Sequence, residues 1–294
     1  MATSPRPSTT LHHRAEALAS ALPPLLVAAE RVAAMVSQGV HGRRRVGQGE
    51  SFWQFRRYQW GDSASQIDWR QSAKSQPLYV RETEWEAAQS IWLWCDASES
   101  MQYRSAATVP TKRQRADLLT LALASLLIRG GEHVALQGSG IPPRNGRAAL
   151  SRIAEMLDGG HVQTTSLPAA EPLPRYARVV WISDFLSPLE NLRAAIAAFA
   201  ARGVRGHLLQ VLDPAEEALP FGGRVEFEGM ENEGRVLIGR VETIREDYQK
   251  ALARHRRGLA ALARQNDWTL AIHHTDQPPQ TPLLTLFSTL AETV

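Results

Sequence analysis

Three oxygen-bearing side chains follow a run of apolar residues in the stretch IWLWCDASESMQYR. Asp96, Ser98 and Ser100 stand at every second position, directly after residues 91–95. A carboxylate and two hydroxyls are hard oxygen donors, which suit Mg²⁺, Mn²⁺ or Ca²⁺ better than Zn²⁺. The spacing therefore indicates either a polar turn or part of a site for a hard divalent cation.

A second carboxylate occurs in the same kind of position. Ser183 and Asp184 follow the apolar run 179–182 in RVVWISDFLSP. Ligands of open parallel sheets bind outside the carboxyl ends of the strands, so two acids that each end a strand are expected to meet there. Asp and Ser are also favoured helix caps. Capping explains either acid alone, whereas the two acids together favour a shared site.

The elements that must position these residues alternate between strand and helix after residue 88. Apolar runs predict strands at 90–96, 132–138, 178–184, 205–212 and 268–274. Helical patterns lie between them, at 111–129, 147–158, 189–202 and 241–266. This alternation predicts an α/β fold with a mostly parallel sheet flanked by helices. Two alternating runs around a polar turn predict an inserted β-hairpin at about 222–240.

The first part of the chain has a different character. Residues 1–13 are small, polar and proline-containing, which predicts disorder. Residues 14–88 are expected to form a helical stretch at 14–38, with a break near Pro23-Pro24, followed by a segment rich in aromatic residues and arginine. Asp68 is expected to cap a short helix within this segment. The sheet domain would then occupy residues 89–294.

Composition excludes several classes of protein. The net charge of +3, from 33 basic and 30 acidic residues, does not require a polyanionic partner. The single cysteine, Cys95, excludes an intrachain disulfide and a cysteine-rich metal site. No segment has the roughly 20 apolar residues of a membrane span. We therefore expect a cytoplasmic protein.

The DASES stretch resembles the D-x-S-x-S signature of von Willebrand factor A-type domains, in which it builds a metal-ion-dependent adhesion site. The resemblance implies a threonine from a second loop and an aspartate from a third. DGGHVQTTSL offers Thr164 and Thr165, of which Thr165 is preferred, and Asp184 matches the aspartate. The implied ligands of Mg²⁺ (or Mn²⁺ or Ca²⁺) are Asp96, Ser98, Ser100, Thr165 and Asp184.

The segment GQGESFWQFRRYQWGDSASQIDWRQSAKSQPLYVRETEWE is similar to the hallmark of the domain of unknown function 58 family. The family pattern runs G-x-G-x-E-F, R-x-Y, G-D, I-D-W, S-A and L-x-V-[KR]-E, and this chain departs from it by placing Ser51 before Phe52. The similarity continues through DPAEEALPF and VETIREDYQKAL and covers about residues 39–290. It implies a von Willebrand A-like sheet after a family-specific segment, and an accessory role beside a MoxR-type AAA+ ATPase in a chaperone-like system.

These observations predict a non-catalytic, metal-dependent protein-interaction protein, whose partner offers a carboxylate to the metal. A group of charged and aromatic residues in the family-specific segment would be a second partner-binding surface or a structural clamp. Its members are Arg56, Arg57, Tyr58, Asp62, Asp68 and Trp69.

Three alternatives remain open at this level. Arginines interleaved with aromatic residues at 43–60 could bind nucleic acid, although eight basic and five acidic residues in 39–85 leave only +3 and favour internal pairing. A metal-dependent hydrolase would need a base beside a metal-bound water, and no histidine accompanies the ligands in sequence. The site could also be vestigial.

Overall fold

A computed structural model describes residues 24–39, 46–59, 67–74, 77–84, 89–159, 165–230 and 234–292. The chain forms two compact units, one of Met1–Gly39 with Ser90–Val294 and one of Val40–Gln89. Helix α1 (Pro24–Gly39) therefore belongs to the larger unit, whereas the sequence had grouped it with the segment up to residue 88. The predicted disorder of residues 1–13 lies outside the described residues.

The smaller unit contains an antiparallel strand pair and one turn of helix. Strand β1 (Val46–Arg57) pairs with β2 (Tyr79–Glu84). Helix α2 (Trp69–Ser72) begins after Asp68, whose Oδ1 accepts a hydrogen bond from the Gln71 amide at 2.8 Å. The predicted capping role of Asp68 is thus confirmed.

The larger unit is built on a five-stranded sheet. Its strands are β3 (Ser90–Cys95), β4 (His133–Leu136), β5 (Arg178–Ser183), β6 (Arg205–Leu212) and β9 (Thr269–His274). They lie in the order β4-β3-β5-β6-β9, and every neighbouring pair is parallel. The predicted α/β fold with a parallel sheet is confirmed, because strands buried on both faces read as the continuous apolar runs seen in the sequence.

Helices cover both faces of this sheet. The connections are α3 (Lys112–Arg129), α4 (Arg147–Asp158), α5 (Leu189–Ala200), α6 (Pro214–Ala218) and α7 (Arg245–Gln265), and α8 (Gln280–Glu292) follows the last strand. Helix α3 contacts β3, β4, β5 and β6, and α1, α4 and α8 pack on α3. Helices α5 and α7 pack on each other and on the opposite face of the sheet. The sequence did not predict α8.

Aromatic rings fill the core beneath α5 and α7. The Trp181 ring makes edge contacts with Trp94, Phe199 and Trp268, at centroid distances of 6.3, 5.3 and 4.8 Å. Aromatic pairs at this spacing add stability beyond the apolar area that they bury. These contacts join β3 and β5 to α5 and to the residue before β9, beneath the loops that follow β3 and β5.

A second antiparallel pair lies between α6 and α7 in the chain. Strand β7 (Val225–Glu228) pairs with β8 (Arg235–Ile238), so that Phe227 faces Val236 and Glu226 faces Leu237. Among the described helices, none is long and apolar enough to cross a membrane.

Candidate metal centre

The candidate site lies where the order of the strands reverses. From β3 the chain passes through α3 to β4 on one side, and it then returns through α4 to β5 on the other side. Such a reversal leaves a crevice at the carboxyl ends of the two central strands. The loops after β3 and β5 meet there, and the Asp96 amide donates to the Ile182 carbonyl at 2.9 Å.

The Asp96 carboxylate is completely buried in this crevice. Its Oδ1 accepts a hydrogen bond from the Ser98 amide at 2.8 Å, and its Oδ2 accepts one from the Ser183 hydroxyl at 2.6 Å. Burial nevertheless raises the pKa of Asp96, and hydrogen bonds from Ser183 and Ser98 only partly oppose it. The crevice would therefore stabilise ionised Asp96 further if it held a cation.

Three further predicted ligands, Ser98, Ser100 and Asp184, form a chain of hydrogen bonds. The Ser98 and Ser100 hydroxyls are 3.1 Å apart, and the Ser100 hydroxyl donates to Asp184 Oδ2 at 2.9 Å. Asp184 Oδ1 in turn accepts from the Leu186 amide at 3.2 Å. The structure therefore brings together oxygens of residues that lie 84 positions apart in sequence.

The turn after β5 has an unusual backbone conformation. Phe185 has a φ of 48°, in the left-handed region that costs a bulky residue energy. Its amide donates to the Ser183 hydroxyl at 3.0 Å, and its side chain is fully buried. This buried anchor fixes Asp184 with its carboxylate toward Ser100.

Sequence reasoning missed Lys112, the first residue of α3. Its side chain is 1% exposed, and its Nζ lies 2.8 Å from Asp184 Oδ2 and 2.5 Å from Glu216 Oε1. Burial lowers the pKa of Lys112, but Asp184 and Glu216 more than offset this effect and raise it. The ammonium group is therefore charged and neutralises part of the site.

Two capping boxes position the Lys112–Glu216 pair. Thr111 caps α3 and places Lys112 in its first turn. Asp213 caps α6, and the Glu216 side chain reaches back to the Asp213 amide at 2.8 Å with Oε2, which leaves Oε1 for Lys112. The signal was in the sequence KRQR at the start of a helix, because basic residues there oppose the helix dipole unless acids compensate them.

Thr165 has a separate environment. Its side chain is exposed, and its hydroxyl donates to the Leu167 carbonyl at 2.8 Å. The neighbouring Ser166 lines a cavity together with Ser100 and Asp184. Thr165 as a ligand stays a prediction, and the alternative Thr164 lies outside the described residues.

The donor set fits a hard divalent cation in its chemistry. Asp96 and Asp184 supply carboxylate oxygens, and Ser98 and Ser100 supply hydroxyls that now bond to one another or to Asp184. In the described part of the chain, no group of three or more His, Cys, Asp or Glu side chains could hold a metal ion. Any ion at this crevice would therefore depend on the serine hydroxyls, as expected for Mg²⁺ or Mn²⁺ and not for Zn²⁺.

A cavity of about 450 Å³ opens beside these residues. Its polar side includes Ser100, Lys112, Asp184 and Glu216. Its apolar lining residues come from the loop after β5, the loops around α6, the β7–β8 pair and the turn before α7. These are Leu186, Leu219, Phe221, Phe227, Met230, Ile238 and Ile244. The volume is within the range of ligand pockets, about 300–1,000 Å³.

The predicted second surface lies in the smaller unit and is described only in part. Trp69 is 64% exposed, and Asp68 caps α2. Arg57 and Tyr58 each make contacts of their own. Asp62 and the side chain of Arg56 lie outside what the structure describes. Its use as a partner-binding surface stays a prediction.

Comparison with known proteins identifies a family. The sequence model described as "Protein of unknown function DUF58" matches residues 54–258. These residues include the end of β1, the whole crevice and the β7–β8 pair.

Relatives and solved structures extend this comparison. Uncharacterized protein Rv1480 of Mycobacterium tuberculosis and Uncharacterized protein Mb1516 of Mycobacterium bovis are each 29% identical over 263 residues, which cover 84% of this chain and 81% of theirs. An aerotolerance-related membrane protein from Bacteroides fragilis has a TM-score of 0.41 at 13% identity, and BatB from Bacteroides thetaiotaomicron has 0.39 at 14%. Each of these two covers 70% of this chain and 100% of its own.

Proposed function

Because the chain belongs to the family described as protein of unknown function DUF58, we propose that it is a non-catalytic accessory protein that binds a partner protein through a divalent cation. Asp96, Ser98, Ser100 and Asp184 would hold the cation, which we propose to be Mg²⁺ or Mn²⁺, with Thr165 as a further ligand. The proposed domain type is von Willebrand A-like.

One observation carries this proposal. The Ser98 and Ser100 hydroxyls and Asp184 Oδ2 form a continuous chain at the carboxyl ends of β3 and β5, beside the buried Asp96. A helix cap needs only one such side chain, so capping does not explain why oxygens from two loops converge. A shared cation does explain it, because hydroxyls that now satisfy one another have lone pairs that can turn toward an ion.

The cation would supply an electron-pair acceptor for a carboxylate of the partner. Serine hydroxyls are neutral donors, so they leave more of the ion's charge for an incoming group than carboxylates would. Lys112 neutralises one side of Asp184 and thereby reduces the negative charge that a partner's carboxylate would meet. We assign the partner to the MoxR-type AAA+ ATPases, which the family resemblance implies.

Calorimetric titration of the protein with MnCl₂ tests the metal site. We expect one site, which Asp96→Ala abolishes and Ser98→Ala weakens. Asp276→Ala is the matched control, because Asp276 is an exposed carboxylate after β9 on the same edge of the sheet. No uptake of Mn²⁺ or Mg²⁺ by the folded wild-type protein would refute the metal-dependent function.

Capture of a MoxR-type ATPase on immobilised protein tests the partner. We expect retention in Mg²⁺ and release by EDTA, with Asp96→Ala behaving in Mg²⁺ as the wild type does in EDTA. Equal retention under all three conditions would show that the contact does not use this site.

A further inference from the structure

We propose that the cavity beside Asp184 binds an acidic residue of the partner together with the bulky apolar side chains next to it. This inference rests on the function proposed above and adds the chemistry of the segment that the partner presents. The acid would meet the cation, and the apolar side chains would fill the wall formed by Leu186, Phe227 and Ile238.

The cavity is continuous with the candidate metal centre. Ser100 and Asp184, which bond to each other at 2.9 Å, both line it. A group bound to a cation at these oxygens would therefore have the rest of its molecule in the cavity. For this reason the apolar wall and the metal centre are expected to recognise the same ligand.

The apolar wall is held in place without a ligand. Arg245, the first residue of α7, donates to the carbonyls of Leu219 and Phe221 at 2.9 and 2.8 Å. The rings of Phe221 and Phe227 meet edge to face at 6.0 Å, which ties the β7–β8 pair to this loop. A wall that is already ordered loses little conformational entropy when it binds.

The charges of the crevice determine what can bind there. With Asp96, Asp184 and Glu216 ionised and Lys112 protonated, three carboxylates and one ammonium leave two negative charges. This excess repels a carboxylate until a divalent cation neutralises it. An acidic segment should therefore bind only with the metal, whereas a basic segment would bind only without it.

Labelled peptides test these expectations on the wild-type protein. The probe is fluorescein-labelled Gly-Ser-Asp-Leu-Phe-Ser-Gly, and its binding is measured by fluorescence anisotropy in Mn²⁺ and in EDTA. Neighbouring side chains of an extended peptide point to opposite sides, so apolar residues fill both positions after the acid. Three matched peptides replace Asp by Asn, Asp by Lys, or Leu-Phe by Ser-Ser.

We expect the probe to bind in Mn²⁺ and not in EDTA. Burial of an apolar side chain contributes about 1.5–3 kcal/mol, so replacing Leu-Phe by Ser-Ser should weaken binding about tenfold or more. The Asn peptide should bind more weakly than the probe by a similar factor, because it loses the charged contact with the cation. Equal affinity of the Leu-Phe and Ser-Ser peptides in Mn²⁺, or binding of the Lys peptide in Mn²⁺ as tightly as the probe, would overturn the inference.

Variants of the protein locate the apolar contact. Phe227→Ser should lower the affinity of the protein for the probe about tenfold. Leu237→Ser is the control, since Leu237 is 53% exposed and pairs with Glu226 on the other face of the β7–β8 pair. The Leu237→Ser substitution should change the affinity for the probe by no more than about twofold relative to wild type. Circular dichroism and Mn²⁺ titration of both variants establish that the sheet and the metal centre are retained.

The outcomes separate this inference from the function on which it rests. Loss of Mn²⁺ binding altogether would refute the proposed function. Mn²⁺ binding with no effect of Phe227→Ser or of the Ser-Ser peptide would refute only the apolar pocket. Carboxylate-dependent binding that persists in EDTA and still needs Phe227 would support the pocket and remove the metal from the mechanism.

Discussion

The two ends of the central sheet bury different sets of charged and titratable side chains. At the carboxyl end, Asp96 and Asp184 are 0% and 3% exposed, and the cation Lys112 beside them is 1% exposed. At the amino end, Arg178 and His207 are 7% and 4% exposed. Helices of an α/β fold point their amino ends toward the carboxyl ends of the strands. Their dipoles therefore favour anions at that end and cations at the other.

The two ends differ in how the buried charge is compensated. Asp184 accepts hydrogen bonds from the Ser100 hydroxyl and the Lys112 ammonium, two side-chain donors. At the amino end, Arg178 donates to the Leu290 carbonyl at 2.5 Å, and His207 Nδ1 lies 2.8 Å from the Thr269 hydroxyl. Backbone carbonyls and a neutral ring stabilise the fold, whereas hydroxyls and an exchangeable ion pair suit a binding site.

Loss of the Lys112 ammonium, at the carboxyl end, should lower the free energy of unfolding more than any other change described below. In Lys112→Met, Asp184 and Glu216 would face each other without a cation, and a broken buried pair costs about 3–5 kcal/mol. Urea denaturation measures this loss. Lys250→Met removes an exposed lysine paired with Glu246 and should leave stability unchanged. Equal effects of the two substitutions would contradict the role assigned to Lys112.

Acid should weaken the amino end through His207. Burial, with Arg178 nearby, lowers the pKa of His207 from 6.5 to about 4. The unfolded chain therefore binds the proton more tightly, and stability falls as the pH drops from 6.5 toward 4, by up to about 3 kcal/mol. The urea midpoint of wild type should fall over this range more than that of His207→Asn. Parallel pH profiles would assign the loss to other groups.

We expect Mg²⁺ to stabilise the folded protein only through the residues at the carboxyl end of the sheet. A ligand at one hundred times its dissociation constant stabilises the folded state by about 2.7 kcal/mol. Thermal unfolding should shift upward with Mg²⁺ in wild type and in His207→Asn, and not in Asp96→Ala. An upward shift in Asp96→Ala would place the ion elsewhere.

The smallest difference in stability loss between the two ends is expected when one hydroxyl is deleted at each end. Ser183→Ala removes the donor to Asp96 at 2.6 Å, and a bond to a charged group contributes about 1.5–3 kcal/mol. Thr269→Val removes the hydrogen-bond partner of neutral His207, and such a bond contributes about 0.5–1.5 kcal/mol to stability. Denaturation midpoints compare the two losses. A larger loss in Thr269→Val would reverse the contrast between the ends.

Much of the fold followed from the sequence because its signals are local. The continuous apolar runs of β3, β5 and β6 predicted a sheet buried on both faces, and strand β6 has the predicted bounds, Arg205–Leu212. Helix α8 was missed, because its start at Gln280 is close to several prolines and carries no capping signal in the sequence. The grouping of α1 with residues up to 88 followed chain order, whereas the structure packs α1 on α3 and α8.

The types and strand-end positions of Asp96, Ser98, Ser100 and Asp184 were readable from the sequence, since they follow apolar runs that the alternation of strands and helices predicts to be parallel. Only the tertiary structure brought Lys112 and Glu216 to them, because that contact joins residues 104 positions apart through two helix starts. The apolar wall beside them likewise required the packing of the β7–β8 pair. Local patterns determine which groups end a strand, and long-range packing decides which charges meet there.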